Sequence, residues 1–422
     1  MTTLEALRDG LVIVPEHGHV LPVWDARGFH GEHVLFFDRH LDLKHVPLTD
    51  CAALAALRGR PDDLAAEGRR LPFREPGHGR YGLDDFLYPA LAGNWLASVC
   101  WVVPGEAGHD PAKALLDALS LVPHVGHRVM ETFTRKRWGA CAELPVGSVA
   151  CTGLTALGPE ILDSVTAVDI DLDFFVDSDG EADHTVAAVL TALGSDPARY
   201  GSWTGSMSVS SGFVPPECGV ILAGQLADAL GMELKTPPAE AFTRHTDAAV
   251  PERGLAAAAL GAPVDTDRLR RLWEEELAAF GAQGATLHAV LDAQSGRVDE
   301  AIAGVHRARG LGARASWPAY VCGLAAMRAG RHAEALELFA LCTEDISDTL
   351  DAHAAVLEII CALRVGRPRK AVDRARRALH IIPLHRDIAG LLDRAGRRAG
   401  DRAAQHDAQQ HAKALAEVWG GR

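Results

Sequence analysis

The stretch Val168-Asp169-Ile170-Asp171-Leu172-Asp173-Phe174-Phe175 sets three carboxylates at alternate positions in an otherwise apolar run. Val165–Ile170 is short and rich in β-branched residues, so it reads as a buried strand. Side chains two apart in a strand share a side, so Asp169, Asp171 and Asp173 are expected to point together at its end. Burying three carboxylates side by side is costly unless a cation or hydrogen bonds compensate. A calcium loop of the Asp-x-Asp-x-Asp kind is excluded, because its sixth position here is Phe174 where Gly is needed and its twelfth is Gly180 where Glu is needed. The same logic applies to Phe37-Asp38-Arg39-His40-Leu41-Asp42, directly after the apolar run Val34–Phe37. In an extended segment Asp38, His40 and Asp42 face one site. Leu11–Val14 and Val99–Val103 are further strands, and Thr185–Leu193 and Val220–Leu230 are helices. Strands alternating with helices imply an α/β domain with a mainly parallel sheet, whose ligands bind beyond the carboxyl ends of the strands.

From about Leu255 the strand signal stops. Gly296-Arg297-x-x-x-Ala301, Gly330-Arg331-x-x-x-Ala335 and Gly366-Arg367-x-x-x-Ala371 recur at spacings of 34 and 36, and Gly400 follows 34 further on without the Ala. A Gly ending one helix, with a small Ala five residues later where the next helix packs closely, resembles the tetratricopeptide repeat. Pro383 fits its inter-repeat turn, and Trp317 and Tyr320 are candidate packing residues. Lys235–Val264, with Pro237, Pro238, Pro251 and Pro263, reads as the connection. The expected organisation is a catalytic domain over 1–250, a linker over 251–265 and an all-α repeat domain over 266–422.

The 422 residues are 48% apolar and 23% charged, as expected of a folded protein, and the net charge of −14 argues against a nucleic-acid or anionic-membrane binder. Arg135-Lys136-Arg137 is expected to be a solvated turn. No apolar run is long enough to span a membrane, no signal peptide is visible, and the eight cysteines include no C-x-x-C pair. These features point to a reducing cytoplasm. No Gly-x-Ser-x-Gly elbow surrounds Ser210-Ser211, so a serine nucleophile is not expected.

Carboxylates with a few imidazoles suit manganese or magnesium better than a thiolate zinc site. Asp-x-His-x-Asp and a later Asp-x-Asp, each at a strand end, resemble the ureohydrolase superfamily of arginases and agmatinases. The likeness is greatest to a divergent arginase-like branch, through His17…Leu21-Pro22, Asp38–Leu43, Asn94-Trp95 with Trp101-Val-Val-Pro104, Asp169–Phe175 and Ser210-Ser211-Gly212-Phe213-x-Pro215. It spans residues 11 to about 225. It implies an arginase-like three-layer fold and two Mn2+ ions per chain. Asp38 and Asp171 would bridge them, His17 and Asp42 would complete one site, and His40 and Asp173 the other. His19 is the local alternative to His17. Asp169 stands where the better-known arginases have Ser, implying a role behind the ligands. A water shared by the two cations would attack the guanidinium carbon.

Glu217 lies 44 residues beyond Asp173, close to the interval of the guanidinium-binding Glu in arginases. Its competing reading is a helix N-terminal Glu. His78 and His45 are candidate proton shuttles, and Ser210, Ser211 and Phe213 are candidates for the substrate mouth. Asn94-Trp95 reads as a structural element below the site. The arginase loop that clamps a free amino acid is not recognisable. Together with the branch's peptide arginases, this points to arginine within a ribosomally made precursor peptide, converted to ornithine, with the repeats gripping the peptide. A small guanidine substrate, with repeats serving self-association in a homo-oligomer, is the alternative. A metal-binding adaptor is another. A one-zinc deacetylase relative fits less well, because such sites use fewer carboxylates.

Overall fold

The computed structural model describes residues 4–69, 79–105, 110–176, 182–194, 196–207, 214–237, 281–344, 346 and 348–420. They fall into two units. The described residues of the first lie within Met1–Pro72, His78–Ala118 and Glu131–Ala249, and those of the second within Leu119–Met130 and Val250–Arg422. Leu119–Met130 therefore groups with the helical unit, although the sequence reading placed it in the catalytic domain. The backbone N–H of His124 donates to the Ile381 carbonyl, and Gly126 packs on Pro383 so closely that a Cβ would lie 2.8 Å from its ring. The expected linker 251–265 lies outside the described residues.

The first unit is built on one nine-stranded sheet. In chain order its strands are β1 (Leu11–Val14), β2 (Glu32–Phe37), β3 (Leu96–Val103), β4 (Thr134–Lys136), β5 (Gly139–Leu144), β6 (Gly147–Gly153), β7 (Ala167–Asp171), β8 (Ser202–Ser206) and β9 (Leu234–Lys235). They lie side by side as β4-β5-β6-β3-β2-β7-β8-β1-β9. All pairings from β6 to β9 are parallel, and β4, β5 and β6 form an antiparallel edge. Arg135 and Lys136 thus sit in an edge strand and not in a turn. A short strand with charged side chains and little burial is a common way to blunt a sheet edge.

The central strands are apolar because both faces are covered. Every residue of β1, β7 and β8 is buried. On one face Leu11, Ile13, Leu35, Phe37, Val168, Ile170 and Val102 join Phe174, Phe175, Val189 and Leu226 in a single core. β8 approaches β7 closely at Gly205, where a Cβ would fall 2.1 Å from the Ile170 carbonyl oxygen. Helix Val186–Leu193 starts on Thr185, whose hydroxyl accepts from the Ala188 N–H. Helix Pro216–Leu230 starts four residues earlier than its apolar pattern suggests, with Pro216 at its first position.

Beyond Leu119–Met130, the described residues of the second unit form the helices Gly281–Gln294, Val298–Gly310, Ser316–Arg328, His332–Cys342, Thr349–Arg364, Pro368–Ile381, Arg386–Ala399 and Arg402–Gly420. Gly296, Gly330, Gly366 and Gly400 have φ of +73°, +75°, +73° and +70°. At each, the next N–H reaches back to the carbonyl five residues earlier: Arg297 to Asp292, Arg331 to Ala326, Arg367 to Ala362, and Asp401 to Gly396, at 2.8–2.9 Å. This is a Schellman ending repeated four times. Ala301, Ala335 and Ala371 are fully buried where the following helix turns back, and at the fourth turn Ala404 takes that place, one residue earlier. Consecutive helices pack as hairpins, and alternate helices pack side by side.

Candidate metal centre

The site is built from the carboxyl ends of β1, β2 and β7. After β1 the chain makes a short 3-10 turn, His17–His19, before the helix Val20–Ala26. His17 is buried there, stacked on Phe36 at 4.9 Å and tilted against Phe86 at 4.9 Å. These rings pack around the imidazole and restrict its rotation. Its Nε2 lies 2.6 Å from Asp169 Oδ1. Its Nδ1 faces three carboxylates: Asp42 Oδ2 at 3.0 Å, Asp38 Oδ2 at 3.1 Å and Asp171 Oδ2 at 3.3 Å.

Asp38 follows β2 directly. The expected extended segment is a turn instead: the His40 N–H donates to Asp38 Oδ1 at 2.7 Å, and Trp101 Nε1 donates to the Asp38 carbonyl at 2.8 Å. An Asp bonding the backbone two residues on is a standard turn device. It carries His40 out to partial exposure, with Nδ1 3.3 Å from Asp173 Oδ2 and 3.7 Å from Asp38 Oδ1. Asp173 sits in the 3-10 turn after β7, where its N–H is capped by Asp171 Oδ1 at 3.3 Å. Arg39 closes the outer side, its Nε donating to the carbonyls of Asp173 and Val176 and its guanidinium pairing with Asp183.

Two triads result, His17-Asp38-Asp171 and Asp38-His40-Asp173, each with its ligand atoms mutually within 4.8 Å and both using Asp38. Asp42 reaches the first through His17. His19 belongs to neither, and burial lowers its pKa to about 4. Without a cation the crowding shows as displaced protonation. Burial pushes Asp42 well up from the ordinary carboxylate range, with the charge of Asp38 adding to it. Burial, then Asp171 and Asp38, push Asp173 up to about 7. Burial disfavours charge on His17, but Asp169, Asp171 and Asp38 outweigh it and hold the imidazole well above the ordinary value. Hydrogen bonds to Asp173 and Asp38 raise His40 to about 11.

A metal ion fits these residues. Among the described residues, His17 Nδ1, Asp38 Oδ2 and Asp173 Oδ2 are buried and meet only other members of the cluster, at 3.0–3.3 Å and without well-aligned hydrogen-bond geometry. Buried polar atoms left so are rare unless something else satisfies them. Asp169 is the acceptor behind the histidine: its other oxygen, Oδ2, accepts from the Thr204 hydroxyl, which in turn accepts from Trp24 Nε1 at 3.0 Å. This holds the Nε2 proton against Asp169, so that a metal ion displacing the Nδ1 proton would meet a lone pair aimed inward.

Thr204 and Trp24 were not found from the sequence. Glu217 lies exposed in the first turn of helix Pro216–Leu230, and no hydrogen bond or ion pair joins it to the cluster among the described residues. His45 is buried edge-on to Tyr88. Asn94 and Trp95 precede β3, at the sheet end away from the site, where Trp95 Nε1 donates to Asp25. His78, Ser210, Ser211 and Phe213 lie outside the described residues. No helix among the described residues is long and apolar enough to cross a membrane. No protein-family model matches the chain, and no curated protein matches it.

Proposed function

We propose that the sheet unit is a manganese-dependent hydrolase of the arginase type. In this reading it removes urea from arginine residues in a ribosomally made precursor peptide and leaves ornithine, in the cytoplasm. The observation that supports it is the pair of His/Asp triads sharing Asp38 at the carboxyl ends of parallel strands, whose buried ligand atoms crowd against one another without well-aligned hydrogen bonds. His17, Asp38, Asp42 and Asp171 would hold one ion, and His40 and Asp173, with Asp38 and Asp171, a second. The ions would supply Lewis acidity that lowers the pKa of a water. Five carboxylates converge on this end of the sheet and outnumber the charges of two dications, which would leave a net negative site for a cationic guanidinium. Water adds to the guanidinium carbon, the bond from that carbon to the side-chain nitrogen breaks, and this nitrogen leaves as the ammonium of ornithine. Asp169 keeps the His17 tautomer throughout. Glu217 and His78 remain the proposed guanidinium partner and proton donor, and the tetratricopeptide-like helices the proposed grip on the peptide.

Mass spectrometry of arginine-containing peptides incubated with the chain and Mn2+ tests the reading. It expects a loss of about 42 Da per arginine processed, abolished in Asp38→Asn/Asp171→Asn. Turnover of free arginine or agmatine alone would reassign the substrate. Retained turnover in the double variant would remove the metal site from the chemistry.

A further inference from the structure

The helical unit carries a charge pattern that metal chemistry does not use. Between residues 361 and 402 the chain has twelve Lys or Arg and four Asp or Glu, a net +8, while the rest of the chain carries −22. Arginines are regularly placed in this unit, both within that stretch and before it. Arg328, Arg364 and Arg398 each stand two residues before a helix-ending glycine, at 330, 366 and 400. Each also ends a stripe at i, i+4 and i+8: Tyr320-Leu324-Arg328, Val356-Ile360-Arg364 and Gly390-Arg394-Arg398. Such residues share one side of a helix.

The three helices that carry the stripes lie side by side. The Tyr320 hydroxyl meets His353 Nδ1 at 2.7 Å, and Arg398 Nη1 donates to the Leu363 carbonyl at 3.0 Å. Tyr320, Leu324 and Ile360 are only partly buried, and Arg328, Arg364, Arg394 and Arg398 are exposed. A cation near a helix C-terminus is favoured by the dipole, which accounts for one arginine per helix. It does not account for Arg394, a full turn inside. Nor does it explain why Arg328, Arg364 and Arg394 have no acidic partner among the described residues.

We propose that this face binds an extended acidic polypeptide segment, with carboxylates on the arginine row and intervening apolar side chains on Tyr320, Leu324 and Ile360. Guanidinium forks suit carboxylates. The −22 of the remaining chain acts against any polyanion, so the apolar floor decides: a segment alternating carboxylates with apolar side chains carries less charge than a nucleic acid and also packs on Leu324 and Ile360. The inference does not depend on the hydrolytic reading. If that reading holds, the segment is the part of the substrate peptide away from the reacting arginine.

Fluorescence anisotropy with the full chain and no added metal tests it. The probes are a labelled peptide of alternating Glu and Leu, its Lys-Leu counterpart and a single-stranded oligonucleotide. The Glu-Leu peptide binds, salt weakens it, and Arg328→Glu/Arg364→Glu/Arg394→Glu weakens it about tenfold or more. The helical circular-dichroism signal and melting midpoint stay in place. If the reversed-charge variant does not fold, the Gln version of the same three positions decides, with a smaller loss in the same direction. Equal binding by wild type and variant, no binding of the Glu-Leu peptide, or tighter binding of the oligonucleotide would overturn the proposal.

Discussion

His17 is held at four points: by Phe36 and Phe86 through its ring faces, by Asp169 through Nε2, and by the carboxylates before Nδ1. Asp169→Asn keeps the shape but removes the charge that fixes the imidazole, so Mn2+ affinity should drop about tenfold or more, read by calorimetric titration. Unchanged affinity would mean that Nδ1 is not a ligand. The protonation state gives a second expectation. The metal-free site holds protons on His40, raised to about 11, and on Asp173, raised to about 7. Metal ligands must be deprotonated, so binding expels protons and tightens as pH rises through 7. Titrations in buffers of different ionisation enthalpy should show that release, and a buffer-independent heat would contradict it. Asp171 and Asp173 were legible because alternation among apolar residues is a local pattern, and Asp38 because it directly follows an apolar strand, although the segment after it is a turn and not extended. His17 needed the family resemblance, since one histidine in twenty carries no pattern of its own. Thr204 was illegible: it meets Asp169 only through the parallel register that sets them opposite each other, 35 residues apart.

Strands and helices differ in how openly the sequence declares them. β1 coincides with the run Leu11–Val14, and the repeat glycines sit at the Schellman positions, because each is fixed by side chains close in sequence. The hairpin β5–β6 escaped notice: Gly-Ala-Cys-Ala and Val-Ala-Cys-Thr present small residues on both faces, leaving no alternation to read. β8, Ser202-Trp-Thr-Gly-Ser206, is buried by its position in the sheet and not by its hydrophobicity. Its glycine is the sharpest test of the sheet. Gly205→Ala forces a Cβ toward the Ile170 carbonyl, 2.1 Å away before relaxation, so β7 and β8 must separate. Urea unfolding should show a loss of about 1–3 kcal/mol, and Mn2+ should bind more weakly because Asp169 and Asp171 ride on β7. Gly366→Ala places a Cβ at φ +73° with nothing within 4 Å, so its cost is conformational alone, about 1 kcal/mol, and metal affinity should not change. Equal effects of the two on metal binding would contradict the assignment of the site to the β7–β8 region.

At the scale of the whole chain, the two units divide the chemistry: ligands that want a cation sit on the sheet, and arginines that want an anion sit on the helices. A cation bound to the sheet stabilises whichever elements carry its ligands, by RT ln(1 + [L]/Kd), about 2.7 kcal/mol at a hundredfold excess over Kd. Hydrogen exchange resolves where that stabilisation falls, because opening is local before it is global. With Mn2+ added, amides in β1, β2, β7 and β8, and in the turns His17–His19 and Leu172–Phe174, should slow most. The helices from Ser316 to Gly420, which hold none of the ligands, serve as the internal reference. The Asp38→Asn/Asp171→Asn variant should lose the Mn2+ effect on the strands and leave the reference helices as they were. Protection that instead centred on those helices would place the cation among their own acidic groups. The carboxylates of β7 would then need another partner.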